Sequence, residues 1–251
     1  MKLFGMPRPG LADAVTIGNA LCGAAAIGVV ILTPWAPDAA GETATLRIVA
    51  LLVLTGVVLD VCDGAVARAR GGTPLGQHLD SLADVATFGV ATALAVGGLA
   101  ARHSSGWEAA ALGVSVLAYV TAMLVRLADF DAGRNREPSF LGMPSPLAAV
   151  TALSLGLLAL PAWFTAVGVT LVAWLMVSGI RYPRSRGVGL MAEAAGLAIA
   201  VAGIVGLIDV RIPASLTILG CVVVAPLAFA VVTRRRGRPE PADIPVEQAE
   251  P

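Results

Sequence analysis

Four aspartates stand close together in a chain that carries little other charge. Asp60 and Asp63 precede a Gly-Gly pair, and Asp80 and Asp84 follow it, with long apolar runs on both sides. Spacings of three and four residues place the two members of each pair on one face of a helix. Two helices joined at the glycine pair would bring these faces to one depth, roughly 10 to 16 Å from the hairpin tip at about 1.5 Å per residue. The spacing therefore predicts one cluster of four carboxylates.

Such a cluster requires cations. Each carboxylate at the centre of a bilayer costs on the order of 3 kcal/mol, and four of them repel one another. Arg68 and Arg70 are near, but two guanidinium groups cannot neutralise four acids. Mg²⁺ and Mn²⁺ prefer oxygen ligands and also bind phosphate oxygens, so two such ions could hold a diphosphate. The alternatives are a buried Asp/Arg network that only orients helices, or carboxylates that line a cation pathway.

The elements that position these acids are predicted to be transmembrane helices. Of the 251 residues 57% are hydrophobic and 14% are charged, and the mean hydropathy is +0.83. Uncharged runs recur along the chain, each close in length to the ~20 residues that a helix needs to cross the hydrocarbon core. These runs lack the alternating polarity of a barrel strand. We predict an all-α polytopic bundle over residues 1–233, followed by a disordered tail over 234–251.

About eight spans are expected, six in a catalytic core and two added to it. They are predicted at 12–33, 46–70, 74–101, 107–128, 146–160, 162–180, 188–208 and 213–233. The fifth and sixth could instead form one long segment, which would move the C-terminus to the other side of the membrane.

Basic residues predict the orientation of the bundle. With the N-terminus inside, only Arg47, Arg102 and Arg211 of the 17 Lys and Arg residues lie outside. The positive-inside rule therefore favours a multi-pass protein of the cell membrane. Both termini and the acidic hairpin are expected on its cytoplasmic side.

The acidic hairpin resembles the signature of the CDP-alcohol phosphatidyltransferases, D-x2-D-G-x2-A-R-x8-G-x3-D-x3-D. Its fixed positions are taken by Asp60, Asp63, Gly64, Ala67, Arg68, Gly76, Asp80 and Asp84. One departure is that seven residues, rather than the usual eight, separate Arg68 from Gly76. The segments "LDSLADVATFGVATA", "VRLADFDA", "FLGMPSPLAA" and "LMVSGIRYPR" resemble the phosphatidylserine synthases of this family.

Three departures from that branch of the family lie close to the predicted site. In the first span, Thr16 and Asn19 match an N-x2-T-x2-N-x3-G element, but Asp13 replaces its first Asn. Asp129 and Asp131 replace the Arg and Asn of an R-L-A-R-F-N segment. These substitutions bear on the acceptor more than on the reaction.

The resemblance implies an enzyme that transfers the phosphatidyl group of CDP-diacylglycerol to the hydroxyl of L-serine and releases CMP. It implies two Mg²⁺ or Mn²⁺ ions held by Asp60, Asp63, Asp80 and Asp84, with Asp84 also acting as the base on the acceptor hydroxyl. The residues expected to bind the nucleotide or other parts of the substrates are Gly64, Ala67, Arg68, Gly76, Thr16, Asn19 and Arg126. Arg126 would contact a substrate phosphate or the acceptor carboxylate, unless it only anchors its helix at the membrane surface.

Other functions remain open from the sequence. Glycerol phosphate, inositol phosphate or another alcohol could be the acceptor. A divalent-cation transporter could also use intramembrane aspartates, but it has no need of the glycines and the Ala-Arg pair. Membrane lipids are expected to surround the chain, a homodimer is possible by resemblance, and no nucleic-acid partner is expected.

Overall fold

The computed structural model describes residues 2–3, 6–7, 9–34, 39–104, 106–132, 139–183, 201, 203–224 and 226–227. Helices account for nearly all of this part of the chain, which confirms the all-α prediction. The helices are α1 (Leu11–Leu32), α2 (Ala39–Arg70), α3 (Gly76–Arg102), α4 (Trp107–Asp131), α5 (Ser145–Leu157), α6 (Ala162–Val177) and α7 (Arg211–Val224). Two short antiparallel pairs join β1 (Lys2–Leu3) to β2 (Met6–Pro7) and β3 (Ser139–Leu141) to β4 (Arg181–Pro183).

Four of these helices are long and apolar enough to cross a membrane. They are Leu11–Leu32, Gly41–Arg70, Gly76–Arg102 and Trp107–Asp131, and they match the first four predicted spans. Helices α5, α6 and α7 are shorter apolar helices. The protein is therefore a multi-pass membrane helical bundle. Most of the predicted seventh span, the end of the eighth and the tail over 234–251 lie outside the described residues.

The fifth and sixth predicted spans are two separate helices. Helix α5 ends at Leu157 and α6 begins at Ala162. Ala159 adopts a positive φ of 51° in the turn between them, which a right-handed helix does not permit. The turn therefore breaks the apolar run into a helical hairpin.

Helix α2 begins earlier than the predicted span, at Ala39 rather than residue 46. Its first turns are polar, and hydropathy alone therefore places them outside the membrane. Glu42 is nevertheless buried, with Arg102 Nη1 at 3.6 Å and His103 Nε2 at 3.4 Å from its carboxylate. These contacts from the far end of α3 hold the extra turns against the bundle.

Helix α3 also differs from the prediction at its start. The predicted span starts at residue 74, but the helix begins at Gly76. The Thr73 hydroxyl still accepts a hydrogen bond from the Gly76 N–H at 3.0 Å, as a capping residue does. The cap is thus present, with one irregular turn between it and the helix.

Beyond Asp84, α3 contains two π-helical segments, Val85–Ala91 and Leu94–Gly98. The wider turns leave main-chain carbonyls that side chains satisfy: the buried Tyr119 hydroxyl donates to Phe88 at 2.9 Å, and Thr92 donates to Thr87 at 3.2 Å. Such segments often occur at functional sites because they change the direction of neighbouring side chains. Here they follow the last aspartate of the acidic hairpin.

The helices pack in a chain of neighbours around one apolar core. Helix α1 lies along α2 and the first half of α3, α4 packs on α6, and α5 contacts α2, α6 and α7. Fully buried members of the core include Val49, Val53, Phe88, Tyr119 and Met123. This packing brings polar side chains of α1, α2, α3 and α4 together at the end of the bundle that carries the α2–α3 link.

Candidate active site

Three of the four aspartates converge between α2 and α3. Asp60, Asp80 and Asp84 each offer one carboxylate oxygen, and these oxygens lie within 4.8 Å of one another. Asp80 Oδ1 is buried and has no hydrogen-bond donor among the described residues. Three carboxylate oxygens at this separation, one of them without a donor in the described part of the chain, fit the oxygen ligands of a divalent cation. The arrangement therefore suits a metal site between the two helices.

Asp63 lies beside this cluster rather than within it. Its carboxylate is 6% exposed and accepts a hydrogen bond from the Thr16 hydroxyl at 2.6 Å. It lies close enough to Asp60 and Asp80 to repel both electrostatically. One Asp63 oxygen is thus held by α1, while the carboxylate remains part of the acidic surroundings of the cluster.

Helix α1 contacts the acidic hairpin through residues three apart on one face. Thr16 donates to Asp63 of α2, and the Asn19 amide donates to Asp84 of α3 at 3.3 Å. Asp13, one turn earlier, accepts from the Thr73 hydroxyl in the link between these helices at 2.8 and 2.9 Å. Thr16 and Asn19, which we predicted as binding residues, are therefore hydrogen-bonded to the acids themselves in this structure.

The site rests on a close contact of three helices. A Cβ on Gly56 of α2 would lie 2.7 Å from Asn19 Oδ1 and 2.8 Å from Thr87 Cγ2. A Cβ on Gly23 of α1 would lie 2.8 Å from the main chain of Thr87. The Thr87 hydroxyl in turn donates to the Asn19 carbonyl at 2.8 Å. Sequence reasoning missed Gly56 and Thr87, although a glycine one turn before Asp60 in an apolar helix was a signal of close packing.

Arg126 of α4 lies near the acidic cluster. It is 9% exposed, donates from Nη1 to the Ser145 hydroxyl at the start of α5, and interacts electrostatically with Asp84. Its Nε has no acceptor among the described residues. The large majority of buried side-chain polar atoms have a hydrogen-bond partner. This position favours a contact with a substrate over an anchor at the membrane surface.

Main-chain hydrogen bonds fix the segment that precedes α5, where Ser145 lies. Gly142 has a φ of 72°, and its N–H donates to the Ile180 carbonyl at 2.8 Å. Strands β3 and β4 pair beside it, with Phe140 opposite Tyr182. Burial raises the pKa of Tyr182 to about 12, so this side chain stays neutral. These main-chain contacts therefore connect the end of α6 to the segment that carries Ser145, the residue that Arg126 contacts.

Residues 10–178 match the family model described as CDP-alcohol phosphatidyltransferase. This match covers more than half of the chain. The chain belongs to the CDP-alcohol phosphatidyltransferase family.

Several curated relatives share about a third of their residues with the chain. A Bacillus subtilis protein named CDP-diacylglycerol–serine O-phosphatidyltransferase is 30% identical over 171 residues, which are 67% of this chain and 87% of that protein. A Helicobacter pylori protein of the same name is 37% identical over 53% of this chain and 59% of its own length. An archaetidylserine synthase of Methanothermobacter thermautotrophicus is 32% identical over 58% of this chain and 62% of its own length. The chain thus spans about three fifths of the last two relatives.

The remaining family signature residues lie near the α2–α3 link of the hairpin. A Cβ on Gly64 would lie 3.2 Å from Nη1 of the exposed Arg68, and a Cβ on Gly76 would lie 3.0 Å from Asp13 Oδ1. Ala67, which lies between these two glycines in the sequence, is partly buried. The absence of side chains at both glycines therefore makes room for groups of the protein itself, in addition to any substrate.

Asp131, one of the departures from the family segment, is a further member of the site. Its two oxygens accept from the Ser81 hydroxyl at 2.9 and 3.0 Å, and Oδ1 accepts from the Gln77 amide at 3.3 Å. Ser81 directly follows Asp80, and Asp131 repels Asp80 electrostatically. The sequence indicated a change of charge here, but it gave no sign that the C-terminal end of α4 contacts α3.

Proposed function

We propose that the chain transfers the phosphatidyl group of CDP-diacylglycerol to the hydroxyl of L-serine, forming phosphatidylserine and CMP. The observation that carries this proposal is the convergence of Asp60, Asp80 and Asp84 between the two signature helices. Membership of the family supports the donor and the reaction. The printed names of the Bacillus and Helicobacter relatives support L-serine as the acceptor.

The three convergent aspartates, with Asp63 beside them, are assigned to hold two divalent cations, Mg²⁺ or Mn²⁺. The partner-free Asp80 Oδ1 and the oxygen-only donor set fit such ions. When bound, the ions neutralise the diphosphate of CDP-diacylglycerol and stabilise the charge that develops on the attacked phosphorus and on CMP. Thr16 orients Asp63 for this role through its 2.6 Å hydrogen bond.

Asp84 is assigned as the general base. It is 7% exposed, and the Asn19 amide holds one of its oxygens at 3.3 Å. As the acceptor oxygen forms its bond to phosphorus, the hydroxyl proton passes to Asp84. The bond between that phosphorus and the bridging oxygen of the diphosphate breaks, and CMP departs with the electron pair. A base acts efficiently only when the acceptor hydroxyl is held within hydrogen-bond distance of it and in the correct orientation.

Arg126 is assigned to bind the acceptor carboxylate. It is buried, it retains an N–H without a partner among the described residues, and it lies near Asp84, where the hydroxyl must react. A guanidinium suits planar carboxylate oxygens. Gly64, Ala67 and Gly76 are assigned to the nucleotide, because backbone without a bulky side chain permits close approach. Arg68 is assigned to the nucleotide or its phosphates through its charge.

The charge at the site favours serine over a phosphorylated acceptor. Glycerol phosphate or inositol phosphate would bring an additional negative group to a site that already contains four aspartates and Asp131. L-Serine brings an ammonium group together with its carboxylate. Like charges at short range are unfavourable unless basic residues compensate them.

The orientation and the assembly are further parts of the proposal. The distribution of Lys and Arg supports a cytoplasmic position for the acidic cluster and both termini. Residues 1–233 are assigned to the membrane domain and 234–251 to the tail. Crosslinking in native membranes tests the homodimer that the family resemblance implies.

The test uses purified protein in vesicles with CDP-diacylglycerol, Mg²⁺ or Mn²⁺, and a panel of acceptors. CMP release and the lipid product are measured with L-serine, glycerol phosphate and inositol phosphate. We expect CMP release with L-serine in step with phosphatidylserine formation. Release with a different acceptor alone would reject serine, and no release with any acceptor would reject the enzyme.

A further inference from the structure

One charged side chain of α1 is fully buried outside the acidic cluster. Asp13 has no exposed surface, and no Lys or Arg pairs with it among the described residues. Its Oδ2 accepts from the Gly10 N–H at 2.7 Å. The Thr73 hydroxyl lies 2.9 Å from Oδ1 and 2.8 Å from Oδ2. A buried carboxylate is tolerated when hydrogen bonds replace its hydration, and here the donors come from two separate segments.

These hydrogen bonds continue into α3. The Thr73 hydroxyl that donates to Asp13 also accepts from the Gly76 N–H at 3.0 Å. Gly76 is the first residue of α3, and Asp80 follows it after about one helical turn. A Cβ on Gly76 would lie 3.0 Å from Asp13 Oδ1. Asp13 thus connects the start of α1, the α2–α3 link and the start of α3.

The contact favours a carboxylate over a neutral side chain. Both Asp13 oxygens accept, one from Gly10 and both from the single Thr73 hydroxyl. An asparagine of the same size keeps one acceptor oxygen but removes the charge, so the hydrogen bonds from Gly10 and Thr73 would become weaker. The residue is therefore suited to the shortened link, whose seven residues bring Gly76 directly against α1.

We propose that Asp13 is a positioning residue for the nucleotide end of the site, because it fixes the α2–α3 link and the first turn of α3 through Thr73. The inference rests on the proposed function in one respect, the assignment of Gly76 to the nucleotide. Asp13 does not touch a substrate in this account. Asp13 also repels Asp63 electrostatically, but its hydrogen bonds lie at Gly10 and at the link. Its main effect therefore falls on the CDP moiety rather than on the acceptor.

The test compares Asp13→Asn with the wild type in two measurements. One is the binding of CDP in the presence of Mn²⁺ to detergent-purified protein. The other is the dependence of CMP release on CDP-diacylglycerol and on L-serine. We expect the Kd for CDP and the KM for CDP-diacylglycerol to rise about tenfold, since hydrogen bonds to a charged acceptor become weaker bonds to a neutral one. The KM for L-serine and kcat should stay within about twofold, the scatter of such comparisons.

Further variants separate positioning from general stability. Thr73→Val should reproduce Asp13→Asn, whereas Thr73→Ser, which keeps the hydroxyl, should behave as the wild type. A glycine inserted after Gly72 lengthens the link to eight residues and should raise the same two constants. Asp209→Asn is the matched control, because Asp209 is exposed and its one hydrogen bond among the described residues comes from the nearby Arg211 N–H.

The outcomes distinguish this inference from the proposed function. Equal loss for both substrates, or CDP binding that Asp13→Asn and Thr73→Val leave unchanged, would overturn the role of Asp13. A wild type that releases no CMP with any acceptor would overturn the proposed function instead. The CDP-binding comparison would still decide the role of Asp13 in that case.

Discussion

The Asn19 amide of α1 donates to a carboxylate oxygen of Asp84 in α3, 65 positions further along the chain, at 3.3 Å. The oxygen of the same Asn19 amide, Oδ1, is buried against Gly56 of α2. One side chain therefore sets the position of the proposed base relative to both helices of the acidic hairpin.

Asn19→Ala should lower kcat by about ten- to a hundredfold, because a hydrogen bond to a charged group contributes roughly 1.5 to 3 kcal/mol. Binding of CDP should change little, since Asn19 contacts the base rather than the nucleotide. Steady-state CMP release and CDP binding measure the two effects. Thr55→Ala is the control, as the exposed Thr55 hydroxyl bonds only to its own helix. Unchanged turnover would show that Asp84 keeps its position without Asn19.

Gly56→Ala should destabilise the bundle by about 1 to 3 kcal/mol, the usual cost of overpacking. The new methyl group would collide with Asn19 and Thr87. Gly28→Ala is a matched control, because a Cβ there meets open space in the same kind of helix and should be neutral or slightly stabilising. Thermal unfolding in detergent compares the two. Equal stability of both variants would contradict the close contact of the three helices.

Arg126→Lys should raise the KM for L-serine by about tenfold or more while leaving CDP binding unchanged. Lysine keeps the charge but cannot reproduce the planar fork that contacts Ser145 and a carboxylate together. Arg211→Lys, at an exposed site on α7, serves as the control. If the variant instead weakens CDP binding with a normal KM for L-serine, Arg126 belongs to the donor side.

Asp131→Asn should reduce the preference for L-serine over glycerol phosphate by about fivefold, which corresponds to about 1 kcal/mol. The change removes a negative charge beside Asp80 and retains an acceptor for Ser81. Competition between the two acceptors measures the ratio. Glu108→Gln, at the opposite end of α4, should leave the ratio as it is. A ratio unaffected by Asp131→Asn would limit this residue to a structural role.

The acidic cluster could be predicted because it depends on local geometry. The spacing of Asp60, Asp80 and Asp84 within two helices joined by a tight link determines which faces they share and at what depth they meet. The resemblance to the family then indicated the chemistry. Asp63 shows the limit of this reasoning, because its partner Thr16 comes from another helix whose depth the spacing does not set.

The contacts made by α1 and α4 could not be predicted in the same way. Asn19 reaches Asp84, and Asp131 reaches Ser81, only after the helices have packed at a particular rotation and offset. Hydropathy also misplaced the start of α2, since it counts Glu42 as solvent-exposed when Arg102 and His103 bury it. Each miss involves a polar side chain whose partner lies far away in the sequence.

The central claim is that the acidic cluster between α2 and α3 catalyses metal-dependent transfer from CDP-diacylglycerol to L-serine. Its most direct test measures CMP release and phosphatidylserine formation by wild type and Asp84→Asn in vesicles, with CDP-diacylglycerol binding measured alongside. We predict that the wild type forms both products with Mg²⁺ or Mn²⁺ and stops when a chelator is added. Asp84→Asn should bind CDP-diacylglycerol without turnover. Turnover retained by Asp84→Asn, or by the wild type without divalent cations, would contradict the account.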